Sequence, residues 1–258
     1  MIYTSYEMVQ DCRAGKPEGW AYFISNYVPL VRKLAAHYGG ADSVDRILLS
    51  VRKADSNMFQ AMEPVPERWF IAELRQKVLA EIPLPSPEIE LDLETVSAAF
   101  EPLTLVEKQV AWIETMGYDA AQTGAMMRMA PKTVEKIRER ASELLRGKLD
   151  TWRRGVLTEN GRLLSEAATA AAGKDCLPVK VFLDILDGRT TWYGRETMEQ
   201  HVLGCWHCID HFSRMVEVVE LIRGVQPLTE TEAAPYRQLL GIQTARRPFW
   251  KRVMNRGY

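Results

Sequence analysis

His201-Val-Leu-Gly-Cys205-Trp-His-Cys208 is an H-x3-C-x2-C run in a 258-residue chain that has four cysteines in all. Residues four and seven apart return to the same face of a helix. A single helix through this run would aim one imidazole and two thiols at one point. A closed tetrahedral zinc site takes four such ligands. Cys176 supplies the fourth: it stands just before Pro178, where another helix can begin. Val181, Leu183, Ile185 and Leu186 then lead into a turn at Asp187-Gly188. The expectation is two helices bridged by Zn2+, with Cys176 on the first and His201, Cys205 and Cys208 on the second. A buried cysteine pair on an amphipathic helix is the competing reading, since free cysteine is commonly buried. The shared spacing of three cysteines and a histidine favours the metal. His207 points off the ligand face, and His211 is at most a substitute ligand or a neighbour that orients one.

Composition narrows the class. A hydrophobic content of 47% with 26% charged residues is that of an ordinary globular protein. No apolar run approaches the length of a membrane span. The opening Met1-Ile-Tyr-Thr-Ser-Tyr-Glu-Met8 lacks the basic-then-apolar pattern of a secretory signal. Cysteines in a ligand pattern point to the reducing cytoplasm rather than to a disulfide scaffold. Cys12, outside that pattern, reads as a small buried hydrophobe. A net charge of −1 excludes a general polycation, so nucleic-acid binding would have to come from a local patch.

The rest of the chain reads as all-α. In residues 1–80, Trp20, Phe23, Ile24, Tyr27, Leu30, Val31 and Leu34 recur at helical spacing after a break at Gly15-Lys-Pro17. Gly39-Gly40 closes that helix, and Asp42 or Ser43 can cap the next, which turns Val44, Ile47, Leu48 and Val51 inward. A Pro64-Val-Pro66 break precedes a helix from Glu67 to Leu79. Residues 81–100 read as a linker, because Pro83, Pro85 and Pro87 at alternate positions prevent a helix and acidic residues keep the chain solvated.

In residues 101–154, a helix from Leu103 to Thr115 ends at Gly117. A short helix to Met127, a turn at Arg128-Met-Ala-Pro131 and a longer helix from Lys132 follow. That is a helix-turn-helix pattern. From Arg128 to Arg154 nine basic residues face four acidic ones, which gives a local positive stripe in a nearly neutral chain. A packed helical hairpin with a solvated charged face would look similar. Residues 155–173 read as an Ala-rich connector with turn signals at Asn160-Gly161 and Gly173, and residues 174–224 as the zinc domain. Residues 225–258 read as a tail whose basic, aromatic end from Gln243 could touch nucleic acid or another domain, with a disordered terminus the favoured reading.

Cys176, Leu186-Asp187-Gly188 and the H-x3-C-x2-C run resemble the zinc-binding anti-sigma domain of bacterial transcription regulators. The segments before them resemble a small sigma factor of the extracytoplasmic-function type. Cys12 to Trp20 and Tyr27-Val-Pro-Leu-Val-Arg-Lys-Leu34 look like the opening of sigma region 2. Gly117 to Met127, Lys132-Thr133-Val134, Arg140-Ala141 and Leu145 look like region 4. The resemblance implies two sigma-like helical domains, the second with a helix-turn-helix, joined by the Pro-rich linker and followed by a small helical zinc domain. It also implies that region 2 binds RNA polymerase core and opens the −10 element, while region 4 reads the −35 element of promoter DNA. On this basis Lys132, Thr133, Lys136 and Arg140 are the expected DNA contacts, and Asp42 and Asp45 the expected polymerase contacts.

Three departures stand out. Ile47-Leu-Leu-Ser50 replaces the Gln-Glu part of the family's clamp motif, the Pro64-Val-Pro66 break sits just ahead of the segment that should hold the −10 strand, and Arg128 fills a turn position usually held by Gly. The leading expectation is a cytoplasmic, non-enzymatic sigma-like transcription regulator that spans no membrane. Its zinc domain would pack against the sigma-like domains and could be redox-sensitive through Cys205 and Cys208. The alternative is a degenerate sigma-like interaction protein that binds or sequesters a protein partner without reading a promoter. No paired carboxylates, nucleophile–base order or Gly-rich phosphate loop points to an enzyme.

Overall fold

All regular structure in the computed structural model is helical among the described residues, which are 4–53, 67–146 and 154–242. The chain divides into two compact units, Met1–Ile82 with Val225–Tyr258, and Pro83–Gly224.

In the first unit, α1 (Ser5–Arg13) starts with a capping box in which Thr4 and Glu7 satisfy each other's backbone N–H. Gly15 turns the chain at φ +69°, and Pro17 opens α2 (Pro17–His37). Phe23, Ile24, Tyr27, Val28, Val31 and Leu34 make α2 the buried spine. A 3-10 turn, Ala41–Ser43, leads into α3 (Val44–Arg52), and α4 (Glu67–Ala80) follows. Phe70 of α4 meets Tyr27 edge-on at 4.9 Å and Phe23 at 6.4 Å. The stretch read as a tail contributes a helix here, Glu230–Leu239. Leu228 N donates to Ser25 O at 2.8 Å, and that helix packs on α2 and α3. A Thr229–Glu232 capping box announces it, but Pro235 inside the helix masks the periodicity. Pro64-Val-Pro66 and everything from Gln243 onward lie outside the described residues.

The second unit holds α5 (Leu93–Phe100), α6 (Leu105–Thr115), α7 (Ala120–Met127), α8 (Pro131–Arg146), α9 (Arg154–Ala170), α10 (Val179–Leu186), α11 (Trp192–Gly204) and α12 (Trp206–Arg223); the tail helix of the first unit is therefore α13. The extended stretch is shorter than the linker expected over 81–100. Asp92 caps α5, and Val96, Ala99 and Phe100 are buried. What remains extended is fastened to α9. Asn160 accepts from Leu91 N at 2.9 Å and donates to Ile89 O at 2.7 Å, and Arg162 donates to Pro83 O at 2.6 Å.

Asn160-Gly161, read above as a turn, is the middle of α9. Asn160 is fully buried, and a Cβ at Gly161 would overlap the Thr115 carbonyl oxygen of α6. The pair is a packing device, since only glycine lets the two helices approach this closely. α9 packs on α6 and α12 through residues such as Leu157, Leu164 and Ala168.

Asp119 and Gln122 form the capping box of α7. The helix ends at Arg128, whose φ of 55° and ψ of 44° are left-handed. Gly124 makes the turn tight: a Cβ there would sit 2.7 Å from Met129 O. Val134, Ala141 and Leu145 turn α8 inward.

Gly161→Ala is expected to destabilise the protein by at least about 2 kcal/mol, as an overpacked helix crossing does. Gly155→Ala on the same helix, with nothing nearer to its Cβ than Glu159 Oε1 at 3.9 Å, should be neutral or stabilising. Denaturant unfolding of the two variants side by side checks this; equal midpoints would contradict the close crossing.

Candidate metal centre

Cys176, His201, Cys205 and Cys208 each offer one ligand atom, and these four atoms lie within 4.8 Å of one another. Cys176 Sγ is 3.7 Å from Cys205 Sγ, and His201 Nε2 is 3.1 Å from Cys208 Sγ. All the cysteines are free thiols. Such a group could hold a metal ion, and it is the one group of this kind among the described residues.

The elements that position the ligands differ from the expectation. Cys176 is not on a helix. It sits in the turn ahead of α10, where Pro178 is the N-cap, and its N–H donates to Gly173 O at 3.2 Å. Gly173 N in turn donates to Cys176 Sγ at 3.2 Å. Nor do the other three share one helix. Gly204, a weak helix former, ends α11, and Cys205 adopts an extended φ of −121° and ψ of 106°. The Cys205 carbonyl then accepts from Ile209 N at 2.9 Å and so opens α12. His201 therefore comes from the end of one helix and Cys208 from the first turn of the next, with Cys205 at the corner between them.

Cys208 is fully buried. Burial pushes its thiol up to about 12; the Leu177 N–H opposes that shift, and the neighbouring Cys205 and Cys176 add to it. A bound cation inverts this order and holds a coordinating thiol deprotonated. The position in the first turn of α12 also favours the thiolate, because the helix N-terminus carries partial positive charge.

The two further histidines turn elsewhere. His207 Nδ1 lies 3.3 Å from the carbonyls of Ala168 and Thr169 on α9. His211 stacks on Phe182 at 5.4 Å, and its Nε2 has no hydrogen-bond partner among the described residues. Burial, helped by Arg214 and His207, lowers His211 to about 4, so the ring is neutral packing.

Beyond the ligands, α12 presents buried polar groups that the sequence did not single out. Asp210 Oδ1 accepts from Trp112 Nε1 of α6 at 3.1 Å and from Ser165 Oγ of α9 at 2.7 Å. Arg214 pairs with Asp210 Oδ2 at 2.5 Å. The Tyr118 hydroxyl donates to the buried Glu217 at 2.5 Å. Trp206 packs between Phe100 and Trp112 and donates to Ser97 Oγ at 2.7 Å. Lys108 Nζ donates to Leu203 O at 3.0 Å. The ligand-bearing segments are thus fastened to α5, α6 and α9. On sequence these were ordinary charges of an amphipathic helix. The available signal was that Asp210, Arg214 and Glu217 share the spacing of the core face.

Of the expected DNA contacts, Lys132, Thr133 and Lys136 are exposed at the start of α8. Arg140 is exposed too, but its Nε is 3.0 Å from Glu107 Oε1, a buried carboxylate that also caps α6. Arg138 is held by Glu114 through two hydrogen bonds. Asp42 and Asp45 are exposed in the first unit, whereas Ile47 and Leu48 beside them are fully buried. No helix among the described residues is long and apolar enough to cross a membrane. No protein-family model, curated protein or solved structure matches the chain, so known proteins lend no support to the sigma-like resemblance.

Elemental analysis of the purified protein should find about one metal equivalent per chain. Cys205→Ser and Cys208→Ser should lower that content and the unfolding temperature, while Cys12→Ser leaves the content unchanged. A folded Cys205→Ser protein with undiminished metal would rule the site out. His211 gives a pH signature. Its folded value of about 4 lies below the ordinary 6.5, so its contribution to stability is complete above pH 6.5 and is lost as pH falls toward 4. His211→Phe should flatten that fall relative to the wild type, and identical slopes would contradict the assignment.

Proposed function

We propose that the cluster holds one Zn2+ as a closed structural site, and that the protein is a zinc-stabilised, sigma-like helix-turn-helix regulator of transcription. Three thiolates and an imidazole form a zinc donor set. Zinc–sulfur bonds of about 2.3 Å in a tetrahedron place two sulfurs ~3.8 Å apart, and Cys176 and Cys205 stand at 3.7 Å. With four protein ligands no position is left for a substrate, which favours a structural over a catalytic ion. The half-buried Cys176 and Cys205 would meet an oxidant before the buried Cys208.

The observation that carries the regulatory reading is the coupling of this cluster to the helix-turn-helix. α12, which bears Cys208, is bonded through Asp210 to Trp112 of α6, and through Glu217 to Tyr118 at the α6–α7 turn. Lys132, Thr133 and Lys136 project from the first turns of α8, the part of such a helix that meets the major groove. Lysines there reach phosphates, and a threonine hydroxyl can do the same. Promoter DNA and RNA polymerase core are the partners this reading assigns, with Asp42 and Asp45 toward the polymerase and Arg140 a weaker DNA contact because Glu107 holds it.

A second reading is favoured by two observations. Arg138 and Arg140 are drawn into ion pairs with Glu114 and Glu107, which thins the positive stripe. Ile47 and Leu48, in place of the clamp motif, are core residues. The protein would then bind a protein partner and leave the promoter unread.

DNA affinity measured against salt separates the two. The slope of log K on log salt should become shallower by about 1 in Lys136→Ala and again in Lys132→Ala, and the zinc-loaded protein should bind core polymerase. Absence of both DNA and polymerase binding in the zinc-loaded protein would overturn the leading reading in favour of the second.

A further inference from the structure

A half-open apolar groove of about 580 Å3 crosses the second unit. Val106 at the start of α6 and Met126, Met127 and Met129 at the α7–α8 turn form one wall. Leu186 of α10, Met198 of α11 and Phe212 of α12 form the other. Four of the chain's eleven methionines meet here. Unbranched, polarisable side chains of this kind re-pack around an incoming apolar surface.

The rim tells what kind of occupant fits. Arg128 is exposed and makes no ion pair among the described residues. It is also the one non-glycine residue with positive φ among them. Such a conformation strains a side-chain-bearing residue and tends to persist at ligand clamps and switch regions. Arg195 at the other wall is already neutralised by Glu199 at 2.8 Å. One turn before Arg195, at the start of α11, Trp192 and Tyr193 stand 77% and 74% exposed. Met, Trp, Tyr and Arg are the residues enriched at protein–protein interfaces. An apolar floor edged by Arg128, a cation without an ion pair among the described residues, is complementary to an apolar stripe flanked by a carboxylate.

We propose that this groove docks an amphipathic helix of a partner protein, with apolar residues at i, i+3 or i+4 and i+7 on the floor and an acidic residue against Arg128. The docking is coupled to the metal. Leu186 follows the Cys176 turn, Met198 precedes His201 by three residues, and Phe212 follows Cys208 by four, so the ligand cluster sets one whole wall. That coupling rests on the zinc reading; the groove itself does not.

The test uses the full chain, with its zinc content measured on the same sample, and fluorescence anisotropy of labelled 18-residue helical peptides. One peptide is a Leu/Glu amphipath and the other its Leu/Lys counterpart. The Leu/Glu peptide should bind at least about tenfold more tightly than the Leu/Lys peptide. Val106→Glu, at a surface position that leaves the fold intact, should weaken it about tenfold, and Trp192→Ala should weaken it severalfold. Arg128→Gly, which suits the left-handed turn and should raise the unfolding temperature, should nonetheless weaken the Leu/Glu peptide and narrow the preference. Chelation should weaken binding if the wall depends on zinc; unchanged affinity in a sample shown to have lost zinc would overturn the coupling. Absence of peptide binding, equal affinity for both peptides, or indifference to Val106→Glu and Arg128→Gly would overturn the docking site. So would displacement of the Leu/Glu peptide by equimolar decanoate, which would mark the groove as a pocket for small amphiphiles.

Discussion

Water does not reach the carboxylate of Asp210, and everything around it is arranged accordingly. Trp112 from α6, Ser165 from α9 and Arg214 one turn further along α12 supply its hydrogen bonds and countercharge. A buried carboxylate is tolerated only while those partners stay in place, and loss of the charged one, Arg214, typically costs about 3–5 kcal/mol. The orientation of α12 is therefore fixed by chemistry as well as by packing. Glu217, seven residues along the same face, repeats the arrangement with Tyr118. Because Cys208 lies in the first turn of α12, the network that orients the helix also aims that thiol at the other three ligands.

The ligand cluster answers a different problem. α10 has eight residues, and the turn that carries Cys176 has no helix of its own, so neither would be stable as an isolated piece. A metal held by these four side chains, drawn from a turn, a helix end, a corner and a first turn, would join the short pieces into one wall. A metal that binds only the folded arrangement adds its binding free energy to folding. Cluster and network thus act on the same helix, one from the side of α10 and α11 and the other from the side of α6 and α9.

The clustering of Cys176, His201, Cys205 and Cys208 was legible because donor type and spacing are local properties, and so was the all-helical class, because apolar residues recur with a period near 3.6. The corner at Cys205 was not: periodicity alone runs straight through a Gly204 that in fact ends the helix. Asn160-Gly161 misled for a related reason. The dipeptide favours turns locally, yet tertiary packing uses its amide to hold the extended stretch and its missing Cβ to admit α6. Asp210 and Glu217 were invisible as buried groups because Trp112 and Tyr118 are 98 and 99 residues away in sequence. The positive stripe lost Arg138 and Arg140 to Glu114 and Glu107 in the same way. A fold class can be argued from pattern; promoter or partner recognition has to be argued from the site.

Amide hydrogen exchange of the full protein before and after metal removal addresses the link between the cluster and the α6–α7 pair most directly. If α12 carries the constraint across, chelation should raise exchange at 176–223 and also along α6 and α7, where Trp112 and Tyr118 hold its buried carboxylates. Faster exchange confined to 176–208, with α6 and α7 as protected as before, would show that the metal stabilises only its own segment.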